Sequence, residues 1–319
     1  MDKNNCASVL EEMGFSRWRF VQGHASIADV FKPSRRCGIY VLGFSNGEFY
    51  AGRSEDVTRR YVQHRKTHTD IEQIAFKQMP KSKLVVEERE VIERLEREGC
   101  PLRNIIIVSL PKGESDFDLV MPPEEQKRWL NDLGYTDDGS ERRVDPELRR
   151  RYQERFQRFL DMPRAEEALD VLRTYVKVGV PAIRRGDVSF WACSCLPTKD
   201  VYSRVNINWQ EVFTLFTPDN DLWFSLHLAR SPLVEVLGDR ESLLLKRHPT
   251  LMYEDHRYVP GGPDQVNYYL RGARAAKEFL ADEDVVRAIR LFNLRLMQKG
   301  PCNFGRYHCM ALADRLVDA

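Results

Sequence analysis

Between Gly38 and Gln78 the apolar positions come in short runs, not at helical spacing. Ile39-Tyr40-Val41-Leu42 with Phe44 is one run, Phe49-Tyr50-Ala51 a second, and Ile71 to Gln78 alternates as a third. The first two flank Asn46-Gly47, the dipeptide suited to a tight turn that needs positive φ at both central positions, so residues 37–51 are expected to form a β-hairpin. Residues 55–66 read as a helix with Ser54 as N-cap and Glu55 and Asp56 in the first turn. A second helix is expected from Lys83 to Gly99, where glycine suits the position after the last turn. Its apolar stripe is Val91, Ile92 and Leu95, and Glu88 falls three, four and seven residues before them, on the same stripe. Glu87 and Glu90 fall off the stripe and are assigned to water. Ile105 to Leu110 reads as one more short strand. Residues 1–35 read as a short preface, with a turn or two of helix between Ala7 and Met13.

From Pro111 to about Val144 the chain turns polar, and residues 111–145 are expected to be a linker with a short helix near Glu124 to Leu133. Residues 146–175 read as helical, with Leu148, Tyr152, Phe156, Phe159 and Leu160 on one side. The arginines on the other side alternate with acidic residues and read as a solvated face more than as a nucleic-acid contact. Val201 to Trp209 and Leu222 to Leu228 alternate as half-buried strands. Helical runs follow at 264–280, 282–299 and 306–316. The expected class is α+β: a small domain at 36–110 and a second α+β domain at 146–319.

Composition narrows this. A chain of 319 residues with 42% hydrophobic content is long enough for two cores. A net charge of +1 supplies no global field for nucleic acid, so any basic surface must be local. Seven cysteines scattered along the chain do not suggest a disulfide framework and imply a reduced protein. Cys193 and Cys195 are spaced more tightly than a zinc knuckle, and with Cys302, His308 and Cys309 far downstream the cysteines read as buried free thiols more than as a zinc site. The start lacks the apolar core of a signal peptide, and no apolar run is long enough to span a bilayer. A soluble, cytoplasmic protein with no membrane partner is expected.

The candidate chemistry lies in the first domain. The hairpin puts Tyr40 and Tyr50 on adjacent strands, where they are expected as cross-strand neighbours. Arg60 and His64, four apart, share one helix face. With Arg53, Arg59, Arg65 and Lys66 they form the most basic short segment of the domain, suited to phosphates. A carboxylate at Glu88 facing the sheet needs a cation or a basic partner. Gly38-Ile39-Tyr40, then Tyr50-Ala51-Gly52, then Arg60, His64, Glu88 and Asn104 in order resemble the GIY-YIG nuclease family.

That resemblance covers residues 37–105 only. It implies a metal-dependent endonuclease that cleaves one strand of nucleic acid per site, with DNA expected ahead of RNA. Its site would comprise Tyr40, Tyr50, Arg53, Arg60, His64, Glu88 and Asn104, with Arg59, Arg65 and Lys66 on the nucleic acid. Glu88 would hold one Mg²⁺ or Mn²⁺. Either tyrosine could activate water, given a phenol pKa lowered by Arg53, Arg60 and the metal. Arg60 would neutralise phosphate, His64 would bond the activating tyrosine or donate a proton, and Asn104 would orient a partner. Alternatives are an RNA-cleaving nuclease or toxin, or a binding module that does not cleave. The second domain, which resembles no recognised family, is expected to select the target or form a homodimer.

Overall fold

A computed structural model describes residues 3–104, 108, 115–135, 142, 145–218, 221–238, 241–254 and 258–317. The chain divides into two compact units, residues 1–112 and 113–319. Both are mixed α and β, as expected.

Unit 1 is a four-stranded antiparallel sheet with helices on both faces. Its elements are α1 (Lys3–Glu12), β1 (Arg19–Phe20), β2 (Gly38–Phe44), β3 (Phe49–Ser54), α2 (Val57–Thr67), β4 (Ile71–Gln78) and α3 (Leu84–Arg97). Strand order is β1-β4-β2-β3, so β2 is central and buried along its whole length. Alternation sorts its side chains. Ile39 and Val41 join Val9, Leu10, Val91, Ile92 and Leu95 in one core under α1 and α3. Tyr40, Leu42 and Phe44 join Val57, Tyr61 and Ile71 in a second core on the opposite face. The expected hairpin forms around Asn46-Gly47, with Gly47 at φ 86°. Gly43-Phe44-Ser45-Asn46-Gly47 spells a hydrolase nucleophile-elbow string, but here it is a strand-to-strand turn with Ser45 exposed, not the strand-to-helix turn that chemistry needs.

Three expectations are corrected in unit 1. Residues 1–35 are not a preface: α1 supplies Cys6, Val9 and Leu10 to the core, and β1 pairs with β4. Asp56, not Ser54, caps α2, accepting from the N–H groups of Thr58 and Arg59 at 3.0 and 3.4 Å. The third concerns the thiols, since Cys6 and Cys100 form a disulfide across 94 residues of sequence. The strand expected at 105–110 lies outside the described residues apart from Val108, which is buried. Just before it, Pro101 and Arg103 exchange backbone hydrogen bonds with Phe49 at 2.7 Å, laying the chain beside β3.

Unit 2 opens with α4 (Pro123–Asn131), α5 (Pro146–Arg151), α6 (Gln153–Leu160) and α7 (Ala165–Gly179). The sheet strands are β5 (Trp191–Thr198), β6 (Val201–Ile207), β7 (Gln210–Phe216), β8 (Trp223–Leu228), β9 (Met252–Glu254) and β10 (Val266–Arg271). Helices α8 (Ser231–Leu237), α9 (Glu241–Arg247), α10 (Ala273–Leu280), α11 (Glu283–Gln298) and α12 (Met310–Val317) complete it. The six strands pair antiparallel in the order β5-β6-β7-β8-β10-β9.

The single helix expected at 146–175 is three, broken at Tyr152 and at Arg164, which takes a left-handed φ of 62°. The helix expected from 264 is strand β10 until Gly272, whose φ of 86° turns the chain into α10. The supposed linker is also part of this core. Phe117, Met121 and Trp129 are buried in it, and the guanidinium of Arg290, only 2% exposed, donates to the carbonyls of Trp129, Asp132 and Val178. No helix among the described residues is long and apolar enough to cross a membrane.

The disulfide gives a first prediction. A crosslink closing a loop of this size reduces denatured-state entropy and typically stabilises by about 2–4 kcal/mol. Tris(carboxyethyl)phosphine should lower the melting transition of unit 1, and Cys6→Ser should melt at that lower temperature with or without reductant. An unchanged transition in calorimetry would show that the thiols are not joined in solution.

Candidate active site

The site gathers at the end of β3, an edge strand. Tyr40 is buried to 1% exposure and points to the α2 face. The expected pairing of the two tyrosines is diagonal. Tyr40 lies opposite Gly52 and Tyr50 opposite Leu42, so both rings share a face with centroids 6.2 Å apart. Gly52 is required here: a Cβ would come within 2.6 Å of Tyr40 Oη and 3.0 Å of the Tyr50 ring. Gly38 is equally constrained, since a Cβ there would lie 2.1 Å from the Lys77 carbonyl. Both glycines of the two tripeptides are thus explained by close approach and not by turn geometry.

From α2, one turn apart as the spacing implies, come Arg60 and His64. Arg60 Nε donates to Tyr40 Oη at 3.3 Å, and Tyr40 Oη lies 2.7 Å from His64 Nε2. Burial, followed by the nearby charges of Arg60 and His68, lowers the His64 pKa to about 4, so the ring is neutral near pH 7. With the ring neutral, one of the hydroxyl and Nε2 donates and the other accepts. Burial foremost, then the neighbouring Tyr50, pushes the Tyr40 phenol well above its ordinary value. Without a metal ion Arg60 lowers the Tyr40 pKa less than burial raises it. Tyr50 is half-buried, and the Arg60 guanidinium also interacts with its hydroxyl.

Glu88 arrives from the other face of the sheet. It follows buried Leu84 by one turn of α3 and precedes buried Val91 and Ile92, so the stripe places it inward as expected. Its Oε1 accepts from the Arg53 N–H at 3.1 Å, and its Oε2 is 3.3 Å from Arg53 Nε. Burial raises its pKa, opposed by Arg53 and then by Arg60. Arg60 and Tyr40 on one face and Glu88 on the other feel each other's charge across the strand, where Gly52 carries no side chain. Glu87, assigned to water, is instead half-buried in an ion pair with Lys77. Glu90 is exposed.

Asn104 positions the strand and does not enter the site. Its Nδ2 donates to the Ala51 carbonyl at 2.7 Å and its Oδ1 accepts from the Ala51 N–H at 3.0 Å, a side-chain substitute for the missing neighbour of an edge strand. Among the expected phosphate contacts, Arg59 and Lys66 are exposed, whereas Arg65 donates to the Thr69 carbonyl at 2.9 Å.

The structure adds residues absent from the sequence reading. Arg103 forks onto Asp70 and Glu48 at 2.6 Å each and stacks on Phe44, pinning the chain beside the hairpin. In unit 2, Cys193, Cys195, Cys302 and Cys309 each direct sulfur to a backbone carbonyl at 3.5–3.8 Å. His308 accepts from the Cys193 N–H and pairs with Asp187. No group of three or more His, Cys, Asp or Glu among the described residues is arranged to hold a metal.

No protein-family model, curated protein or solved structure matches this chain.

Two predictions follow from the geometry. Gly52→Ala drives a methyl into the Tyr40 phenol and should cost about 1–3 kcal/mol in urea unfolding; no measurable cost would mean the phenol lies elsewhere. His64 has a folded pKa below its ordinary 6.5, so the unfolded chain takes up a proton that the folded chain refuses. Stability should therefore fall as pH drops from 6.5 towards 4, and His64→Gln should flatten that slope. Parallel slopes for the two proteins would show that His64 titrates normally.

Proposed function

We propose that unit 1 is a metal-dependent endonuclease of the GIY-YIG kind, acting on nucleic acid and on DNA ahead of RNA. The observation that carries this reading is the grouping, around one strand end, of two tyrosines, a guanidinium and a neutral imidazole with a half-buried carboxylate in electrostatic reach. Phosphodiester hydrolysis needs an activated water, charge neutralisation on phosphate and help for the leaving oxygen. Each requirement has a candidate residue here.

The donor set suits one hard divalent cation such as Mg²⁺ or Mn²⁺. Glu88 offers oxygen, and among the described residues its Oε2 is engaged only by the long contact to Arg53, whose side chain is 44% exposed. Glu88 would hold the ion, with water and phosphate oxygens completing its shell, and the ion would supply Lewis acidity at the phosphate. Arg60, held by Tyr40 through Nε and by Gln63 through Nη1, binds a phosphate oxygen by releasing the exposed Gln63 contact. Tyr50, the more accessible phenol, orients the attacking water. Tyr40 and His64 hold Arg60 and Tyr50 in place, their shared proton fixed by burial. Arg59 and Lys66 contact the flanking backbone phosphates, where salt weakens binding without altering sequence preference. Unit 2 selects the target or pairs two copies of the chain.

A comparison of two adjacent carboxylates tests this. Glu88→Ala should abolish plasmid nicking in Mg²⁺ while leaving DNA binding within about threefold, because the phosphate contacts come from arginine and lysine. Glu87→Ala should retain nicking and lose only the ion pair to Lys77. Full activity in Glu88→Ala would overturn the assignment, and inactivity of the unsubstituted protein on both DNA and RNA would leave the non-cleaving binding module as the better reading.

A further inference from the structure

The arginines of α5 and α6 do not form the charge-alternating face expected of a single helix. The break at Tyr152 separates Arg151 from Arg155, and both are exposed. So is Arg306, in the segment before α12. None of these three has a carboxylate partner among the described residues, whereas Arg149 is paired with Asp314 at 2.9 Å and Arg204 with Glu211 at 3.3 Å. The local positive field that the net charge of +1 does not supply is therefore present on this surface.

Two of these guanidiniums each lie over a ring. Arg155 stands over Tyr152 at 5.3 Å and Arg306 over Tyr307 at 4.6 Å. The two couples are tied together, because Tyr152 Oη and Arg151 Nη1 both donate to the Arg306 carbonyl, at 3.0 and 3.3 Å. A cavity of about 420 Å³ is lined by residues of both couples and by Phe304. Beyond Phe304, the ring of Trp209 at the β6–β7 turn stands edge-on at 6.5 Å and is 63% exposed. Tyr307 is 44% exposed. Rings this open add little to a core, and their clustering beside unpaired arginines marks a binding surface.

The repetition says what binds. A duplex keeps its bases stacked inside and would leave the rings idle. An acidic peptide would use the charges without the ring faces, and a sugar the rings without the charges. A lone nucleotide would occupy one couple and leave the second unexplained. A polymer that alternates anionic phosphates with unstacked planar bases matches guanidinium–ring couples in series. We propose that this surface of unit 2 binds single-stranded DNA, its phosphates on Arg151, Arg155 and Arg306 and its bases stacked on Tyr307 and Trp209 and, in the cavity, against Tyr152. Stacking of this kind accepts every base, so the surface selects strandedness and not sequence. The choice of a single strand comes from the rings, and the choice of DNA rests on the activity proposed for unit 1.

Fluorescence anisotropy of the full chain with labelled oligothymidylate of about twelve nucleotides, without divalent metal, tests it. The oligonucleotide should bind about tenfold or more tighter than a duplex of the same length. Tyr307→Ala should weaken binding about tenfold and leave its salt dependence unchanged. Arg155→Ala and Arg306→Ala should each make the slope of log K against log salt shallower by about 0.7, the share of one phosphate. All three side chains are exposed, so the variants should melt with the unsubstituted protein. Glu88→Ala should bind as the unsubstituted protein does, so a chain that holds the oligonucleotide but never nicks DNA keeps this inference and sinks the activity of unit 1. Duplex bound as tightly as the single strand would overturn the proposal, and so would binding unchanged in all three unit 2 variants. Oligouridylate bound about tenfold tighter than oligothymidylate would overturn the choice of DNA.

Discussion

The Tyr40 hydroxyl is the point on which unit 1 depends. It is buried in the centre of the sheet, so it must both give and receive a hydrogen bond, and α2 supplies His64 Nε2 and Arg60 Nε for that purpose. Satisfying one phenol fixes the rotation of α2 about its axis and the reach of Arg60. It also forbids a side chain at Gly52, because the phenol occupies that space. The gap left in β3 brings the two faces of the sheet into electrostatic contact, and a carboxylate rooted under α3 can act with a guanidinium rooted over α2.

Helix α3 shows the same economy. Glu87 and Glu88 are neighbours in sequence and both half-buried, yet they meet different cations, Lys77 and Arg53. The first pair lies between α3 and β4 and contributes to the fold. The second lies at the strand end, where the Arg53 backbone N–H and side chain together hold the carboxylate in place.

What could be read from the sequence was local. Asn46-Gly47 located the hairpin, and the spacing of Glu88 from Val91, Ile92 and Leu95 gave the phase of α3, because turn chemistry and helical period are encoded within a few residues. What could not be read was long-range. Nothing near Cys6 indicates Cys100, and nothing in residues 1–35 tells that α1 covers the sheet. Val266 to Arg271 was taken for helix because its apolar residues are buried on both faces of the sheet and show no clean alternation. In β6 the alternation was visible, and Val205 and Ile207 do enter the core, but no periodicity foretells that Tyr152 and Phe304 arrive from elsewhere in the chain on the side of Arg204 and Asn206.

The bond between Cys6 and Cys100 has a topological consequence. It makes the stretch between them a covalent ring, and the ring contains Tyr40, Tyr50, Arg53, Arg60, His64 and Glu88. Asn104 lies just outside it, clasping Ala51 within. A protease that nicks the ring once opens it without releasing a fragment, whereas a nick beyond Asn104 would cut the chain between the two units and leave the ring whole. The polypeptide thus passes from a closed loop bearing the candidate chemistry, through a side-chain clasp, into a segment that alone carries the covalent link to the rest of the molecule.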